Sequence, residues 1–325
     1  ASGNASTIGP ISSPNTGQVP WGDRILVTWD GGRPAELCPH SLEFLGELGH
    51  RRDWDDYHGH LGVFPSIISP AHPVIDPELQ CLWNVSYRMF DDSTYIVMSE
   101  QGSAQVKKWP LKSAPTRQVI HTIAVTKNWI VIGINGMRID AREMYGLERN
   151  KVSMRKAPMY MVRKDQLLSS PPGTPLDVKT VYIEPENMHF YAQYDDSDGV
   201  RIMVEHSTDS DISMAIRKDD LDIYGDPIDS RVRGMYGLAL SPPEVSLWEI
   251  DPEKEQARRV SAFGDATRMW NVQTSGQDWS KAGLNSPTLH HTLYNGWRRE
   301  GVSERQFDLY GHRVDTRQIP AEDQP

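Results

Sequence analysis

The sequence predicts an all-β protein, and three observations carry that prediction. Ten short apolar stretches read as strands, clusters of turn-forming residues separate them, and segments with helical periodicity are few and short. The 25 glycines and 23 prolines among 325 residues supply the punctuation. Hydrophobic residues make up 38% of the chain, enough to fill a sizeable core. Many short strands with little helix imply a propeller or a large sandwich. No WD or kelch repeat is visible to choose between the two.

In chain order the expected strands are Arg24–Trp29, Cys81–Tyr87, Tyr95–Ser99, Gln118–Val125 and Trp129–Gly133. They are followed by Val178–Ile183, Met188–Tyr194, Val200–His206, Gly234–Leu240 and Val245–Ile250. "DGGRP", "DDS", "DDSDG" and "SPPE" are the breakers between them. Only "LDIYGDPIDSRVRG" and "SERQFDLYGHRVD" have helical character. Two hairpins stand out. In "HTIAVTKNWIVIG" the dipeptide Lys127-Asn128 turns the chain, and alternation places His121 on the same inward face as Ile123 and Val125. In the second hairpin, His189, Tyr191 and Gln193 share one face, and Met188, Phe190, Ala192 and Tyr194 share the other. Its Asp-rich turn, Asp195 to Gly199, lacks calcium-loop spacing and reads as solvated.

Bulk properties exclude several functions. A net charge of −10 argues against nucleic acid and against strong attraction to anionic lipid. No apolar run approaches the length of a bilayer span. Two cysteines, Cys38 and Cys81, cannot build a disulfide framework, so a reducing compartment is expected. The asparagines of "NAS" and "NVS" match the glycosylation triplet, but no secretory signal accompanies them. Dinucleotide, P-loop, nucleophile-elbow, zincin and C-x-x-C motifs are all missing.

That leaves the eleven histidines. His40, His50, His58 and His60 lie in polar surroundings and read as solvent-facing. His290 and His291 are adjacent, so at most one faces a given site. His72 is held extended by Pro73. His72, His121 and His189 therefore sit at stiff, extended, interior positions. Any one alone reads as a core histidine bonded to a backbone carbonyl, whereas three with no competing motif point to a shared metal.

Together these segments resemble the carotenoid cleavage oxygenase family, which includes stilbene-cleaving and retinoid-isomerising members. Ala71-His72-Pro73-Val74-Ile75-Asp76-Pro77 is similar to its A-H-P-x-x-D-P element. His121 to Val131 is similar to H-D-F-A-x-T-x-N-Y-x-V, and His189 to Asp196 to H-x-x-N-A-Y-E-E. "SSPNTGQVPWGDRILVTWDGGRPAELCPHSLEFLG" resembles the family's opening segment, and the resemblance runs over roughly residues 10 to 320. It implies a seven-bladed β-propeller with a helical cap, carrying iron(II) on its axis in a set of four histidines. His72, His121 and His189 are then metal ligands. Asp30, where the family has glutamate, is the carboxylate behind a ligand, and Trp29 faces the substrate. A second supporting glutamate has no counterpart at Ala262 or Phe263.

The implied reaction is cleavage of a carbon–carbon double bond of an apolar, apocarotenoid-like substrate by O2 into two carbonyl products. The alternatives are cleavage of stilbene or phenylpropene alkenes, or a metal-free propeller that serves as a binding module. Stilbene-cleaving relatives carry a lysine where this chain has Trp29, which favours the polyene. The location implied is cytoplasmic, with peripheral contact to a membrane left open. Residues 1–325 are read as one propeller domain incomplete at both ends, residues 1–14 being a polar loop. The fourth ligand and the remaining blades are expected from segments outside this sequence or from a second chain, with His290 or His291 as the alternative ligand.

Overall fold

The computed structural model describes residues 14–54, 68–88, 93–116, 119–135, 156–206 and 244–264. It adds short pieces at 5–6, 9–10, 218, 226–227, 230, 268–269, 272–275, 291–294 and 297–298. A two-stranded ribbon, β1 (Ala5–Ser6) with β2 (Gly9–Pro10), precedes the main body. Four antiparallel sheets of four strands then follow one another along the chain. The first is β3 (Gly17–Trp21), β4 (Arg24–Thr28), β5 (Ala35–Leu37) and β6 (Phe44–Glu47). The second is β7 (Val74–Asp76), β8 (Cys81–Tyr87), β9 (Thr94–Glu100) and β10 (Val106–Pro110). The third is β11 (Ile123–Val125), β12 (Trp129–Gly133), β13 (Ala157–Arg163) and β14 (Lys179–Ile183). The fourth is β15 (Asn187–Ala192), β16 (Val200–His206), β17 (Glu244–Asp251) and β18 (Gln256–Gly264). In each sheet, neighbours in space are neighbours in sequence. Among the described residues the helices are α1 (Arg51–Trp54) and α2 (Lys164–Ser169).

The sheets stack face to face, which explains why several strands are apolar throughout rather than alternating. Every residue of β8 and of β12 is buried. Along β12, Ile130 and Ile132 pack toward the second sheet with Trp83, Val85 and Tyr87. Trp129 and Val131 pack the other way, with Phe190, Ile202 and Val204 of the fourth sheet. The first two sheets meet through Trp21, Leu26, Leu82 and Val97. Each such side chain contributes roughly 1.5–3 kcal/mol of burial, so a strand covered on both faces anchors two layers at once.

The first strand of each sheet lies on a common inner edge. His72 bridges Thr122 in parallel, His72 N–H donating to the His121 carbonyl at 3.2 Å and Ile123 N–H to the His72 carbonyl at 3.4 Å. The Met188 carbonyl accepts from Thr122 Oγ1 at 3.5 Å. β3 presses so close that a Cβ on Gly17 would lie 2.8 Å from the Ala71 carbonyl oxygen. Successive meanders with their first strands gathered on one axis are propeller blades, and of the two expected architectures this is the propeller.

At the far end of the inner strands a buried ionic knot joins three blades. Lys164 Nζ lies 2.5 Å from Asp76 Oδ2, the two side chains being 6% and 0% exposed. Tyr194 Oη donates to Asp76 Oδ1 at 3.1 Å, Trp83 Nε1 to Asp76 Oδ2 at 3.2 Å, and Lys164 to the Thr126 carbonyl at 3.1 Å.

Two expectations are corrected. The strand expected at Gln118–Val125 is only Ile123–Val125, because the chain up to Thr122 is bonded to His72 rather than to β12. The Asp195–Gly199 turn is only partly solvated: Asp196 is buried and accepts from Thr126 Oγ1 at 2.6 Å and Asn128 Nδ2 at 2.6 Å. Several strands, β10 and β13 among them, and both helices were not foreseen; lysines and prolines interrupt the pattern at "VKKWP" and "APMYMVR". The strand expected at Gly234–Leu240 and the helix over 303–315 lie outside the described residues, as does most of the helix expected over 221–234. Asn84, in one glycosylation triplet, is buried within β8, so the folded chain does not offer it to a transferase.

Candidate metal centre

His72, His121 and His189 come from three successive blades and converge on the axis. Each can offer one ring nitrogen, and these nitrogens all lie within 4.8 Å of one another. The ring centroids are 4.7, 5.0 and 4.8 Å apart, a nearly equilateral triangle. His72 and His121 stand just before the first strands of the second and third blades. His189 is the third residue of β15, beside a bulge that shifts the ladder between Asn187 and His189.

Two of the three rings are oriented by carboxylates. His121 Nδ1 lies 2.7 and 2.8 Å from the two oxygens of Asp30, and His189 Nδ1 lies 2.8 Å from Glu205 Oε2. An Nδ1–H that donates outward leaves Nε2 to turn inward. Those two Nε2 atoms face each other at 2.9 Å. His72 Nε2 is buried with no hydrogen-bond partner. Burial, reinforced by the neighbouring His121 and His189, pushes the His72 pKa down to about 2, so that ring is neutral. A buried ring nitrogen without a partner is costly in a protein interior, and converging imidazole nitrogens are favourable around a cation. A spacing of 2.9 Å suits two ligands about 2.1 Å from one ion. The residues therefore fit a divalent metal.

Asp30 is one methylene shorter than a glutamate, yet it reaches His121 because the β4–β5 turn is drawn onto the axis. Asp30 Oδ1 also accepts from Ala71 N–H at 3.1 Å, tying the residue before His72 to the same carboxylate. Thr28 Oγ1 donates to the Ala71 carbonyl, and Ser69 Oγ to the Gly32 carbonyl at 2.8 Å. The Trp29 indole folds back onto Gly31, where a Cβ would sit 2.3 Å from its Cζ2, so only glycine fits. Trp29 Nε1 is buried without a partner.

Glu205 was missed. Its signal lay in the second hairpin: a turn over Asp195–Gly199 sets Tyr194 against Val200 and hence His189 against Glu205, the register observed. The support expected near Ala262 or Phe263 is thus supplied from β16, and Phe263 is 64% exposed on β18. His40 and His50 are exposed as expected. His58, His60 and His290 lie outside the described residues, and nothing is described of the His291 side chain. Both cysteines are free. Among the described residues no helix is long and apolar enough to cross a membrane.

A cavity of about 190 Å³ between the inner strands reaches His72, lined by Gly17, Val19, Ala71, Thr122 and Tyr191 among others. It is smaller than pockets that hold drug-sized ligands. The larger cleft between the third and fourth blades contains none of the three histidines.

Fold and centre together define an all-β, propeller-type protein with a histidine-walled axial centre. The profile of the retinal pigment epithelial membrane protein family matches residues 2–296, and the chain belongs to that family, which comprises the carotenoid cleavage oxygenases and their relatives. It is similar to the apocarotenoid-15,15'-oxygenase of Synechocystis sp., with 26% identity over 132 residues, 39% of this chain and 25% of that protein. It is also similar to resveratrol cleavage oxygenase 1 of Botryotinia fuckeliana, with 32% identity over 125 residues, 37% of this chain and 20% of that protein. A solved variant of the Synechocystis apocarotenoid oxygenase superposes with a TM-score of 0.51 at 19% identity, covering 85% of this chain and 54% of that one. The aligned regions span a quarter or less of the curated relatives, and the chain spans about half of the solved structure.

Proposed function

We propose that the chain carries the metal-binding face of a non-haem iron(II) dioxygenase that cleaves a double bond of an apolar, conjugated, apocarotenoid-like substrate. One alkene and one O2 give two carbonyl products, each oxygen atom ending in one of them. The observation that carries this reading is the convergence of His72, His121 and His189, two of them oriented by Asp30 and Glu205. When bound, ferrous iron would supply the one-electron chemistry that lets O2 react with a closed-shell alkene. The three imidazoles hold the ion as neutral donors, and the two carboxylates keep each Nδ1 proton outward and each Nε2 free. The four sheets are read as four blades of one seven-bladed propeller domain with a helical cap, and a fourth imidazole comes from a blade other than these. Trp29, one residue from Asp30, is assigned to the substrate side, where an indole face suits a polyene better than a phenol.

The reading places the protein in the cytoplasm, with peripheral membrane contact where an apolar substrate partitions. Anaerobic loading with Fe(II), followed by aerobic incubation with a panel of apocarotenoids and stilbenes, tests it. Aldehyde products from the apocarotenoids are expected. Tight iron binding with aldehydes from stilbenes alone would overturn the substrate, and failure to bind iron would overturn the oxygenase reading.

A further inference from the structure

One buried histidine takes no part in the metal cluster. His206 is 2% exposed and follows Glu205 on β16. Consecutive strand residues point to opposite faces. Glu205 faces the axis and holds the His189 ring, while His206 faces away. Its Nδ1–H donates to the carbonyls of Pro185 at 2.8 Å and Glu186 at 3.1 Å, the two residues that lead into β15. Its Nε2 accepts from Ser246 Oγ, and Ser246 Oγ accepts from Trp248 Nε1 at 2.7 Å. The Trp248, Ser246 and His206 donors each have an acceptor, so the imidazole is locked in one tautomer. Burial, its largest cause, pushes the His206 pKa down to about 4 and keeps the ring neutral. The charged groups facing it are Glu244, 4.0 Å from Nε2, and Arg259, which pairs with Glu244.

Register makes this position consequential. Asn187 is opposite His206, His189 is opposite Glu205, and Met188 is the extra residue between them. The same short segment is gripped from the third blade, where the Ile134 carbonyl accepts from Asn187 Nδ2 at 3.0 Å and Asn135 Nδ2 donates to the Met188 carbonyl at 3.5 Å. We infer that His206 is a positioning residue: by holding the backbone ahead of the bulge it fixes the direction of the His189 ring. Adjacent residues of one strand thus secure a single ligand twice, Glu205 through the ring and His206 through the main chain. The inference rests on the metal-centre reading for its consequence, though the positioning itself is independent of it.

Three variants of the full chain test it. Asparagine places an amide N–H where Nδ1–H stood, so His206→Asn keeps the grip; His206→Leu removes it; Ser246→Ala frees the tautomer while leaving the ring. Co(II) serves as the metal probe, through its affinity and its visible absorption bands. His206→Leu is expected to weaken Co(II) binding about tenfold or more, the range typical of residues that support a ligand, and to alter the bands. His206→Asn is expected within about threefold of the parent protein, and Ser246→Ala between the two. In the metal-free protein, the His189 Nδ1–H proton resonance, assigned by its loss in His189→Ala, should move in His206→Leu and stay in His206→Asn. If His206→Leu fails to fold, Ser246→Ala carries the same readouts. Unchanged bands and an unchanged His189 resonance in Ser246→Ala and in folded His206→Leu would overturn the inference. A parent protein that binds no Co(II) but shows the resonance shift would uphold the positioning and overturn the metal reading instead.

Discussion

Along β7 and β11 the chain starts at His72 and His121, on the axis, and ends near Asp76 and Thr126, in the ionic knot. Both ends are polar, but their accounting differs. In the knot, Asp76 meets Lys164, Tyr194 and Trp83, and Lys164 also meets the Thr126 carbonyl. At the axis, His72 Nε2 has no partner and two other ring nitrogens oppose each other at 2.9 Å. A completed network holds blades together; an incomplete one, only partly buried on the axis, is a place for something to bind.

The contrast can be broken by removing one member at each end. Lys164→Met leaves Asp76 buried and unpaired, and should cost about 3–5 kcal/mol in urea unfolding. It should leave the metal stoichiometry of the folded protein intact. A loss below about 1 kcal/mol would show that the knot contributes little. At the other end, His121→Ala should lower Co(II) affinity by more than the roughly 10–100-fold expected for a supporting residue. Its unfolding free energy should fall by less than that of Lys164→Met. Full metal occupancy in titration calorimetry would remove His121 from the centre.

Glu205→Gln and Asp30→Asn sharpen the comparison, because each keeps shape but loses the charge that orients a ring. A drop of about 10–100-fold in metal affinity is expected for each. A drop confined to Glu205→Gln would mean that the shorter Asp30 no longer supports its histidine. Smaller still is a pH effect on the metal-free protein. His206 is depressed from 6.5 to about 4, so between those values the unfolded chain binds a proton that the native one does not. Stability is full above pH 6.5 and falls as pH drops toward 4, by at most about 1.4 kcal/mol per pH unit from this group. His72 adds a slope of the same sign. Replacing His206 by Asn should flatten the slope in chemical denaturation at stepped pH, and an unchanged slope would remove His206 as its source. The smallest expectation concerns substrate: with Trp29 rather than a cation at that place, a 4-hydroxylated stilbene should be turned over within about threefold of its unhydroxylated analogue. A large preference for the phenol would overturn the role given to Trp29.

What the sequence made legible follows the physics of each element. β8, β12 and β16 were bounded correctly because turn residues bracket runs of mostly apolar, β-favouring residues. His72, His121 and His189 were legible as a set because each breaks an otherwise apolar or rigid context. Asp30 was reached through its Trp-Asp-Gly-Gly setting. Glu205 was not, although the hairpin register contained it. The knot was invisible because Asp76, Lys164 and Tyr194 are far apart in the chain, and nothing local marks a lysine that will be buried.

Each blade is a meander of sequence neighbours, whereas the three histidines come one from each of three blades, His121 and His189 being 68 residues apart. Contacts within a blade close short loops and form early; contacts between blades close long ones and form late. No hairpin, and none of the four described blades, contains even two of these histidines. On the proposed metal-binding reading, the lag between the appearance of β-structure and the first capture of a metal ion in a refolding experiment is a clock for blade docking, because the three histidines meet only when the third docked blade arrives.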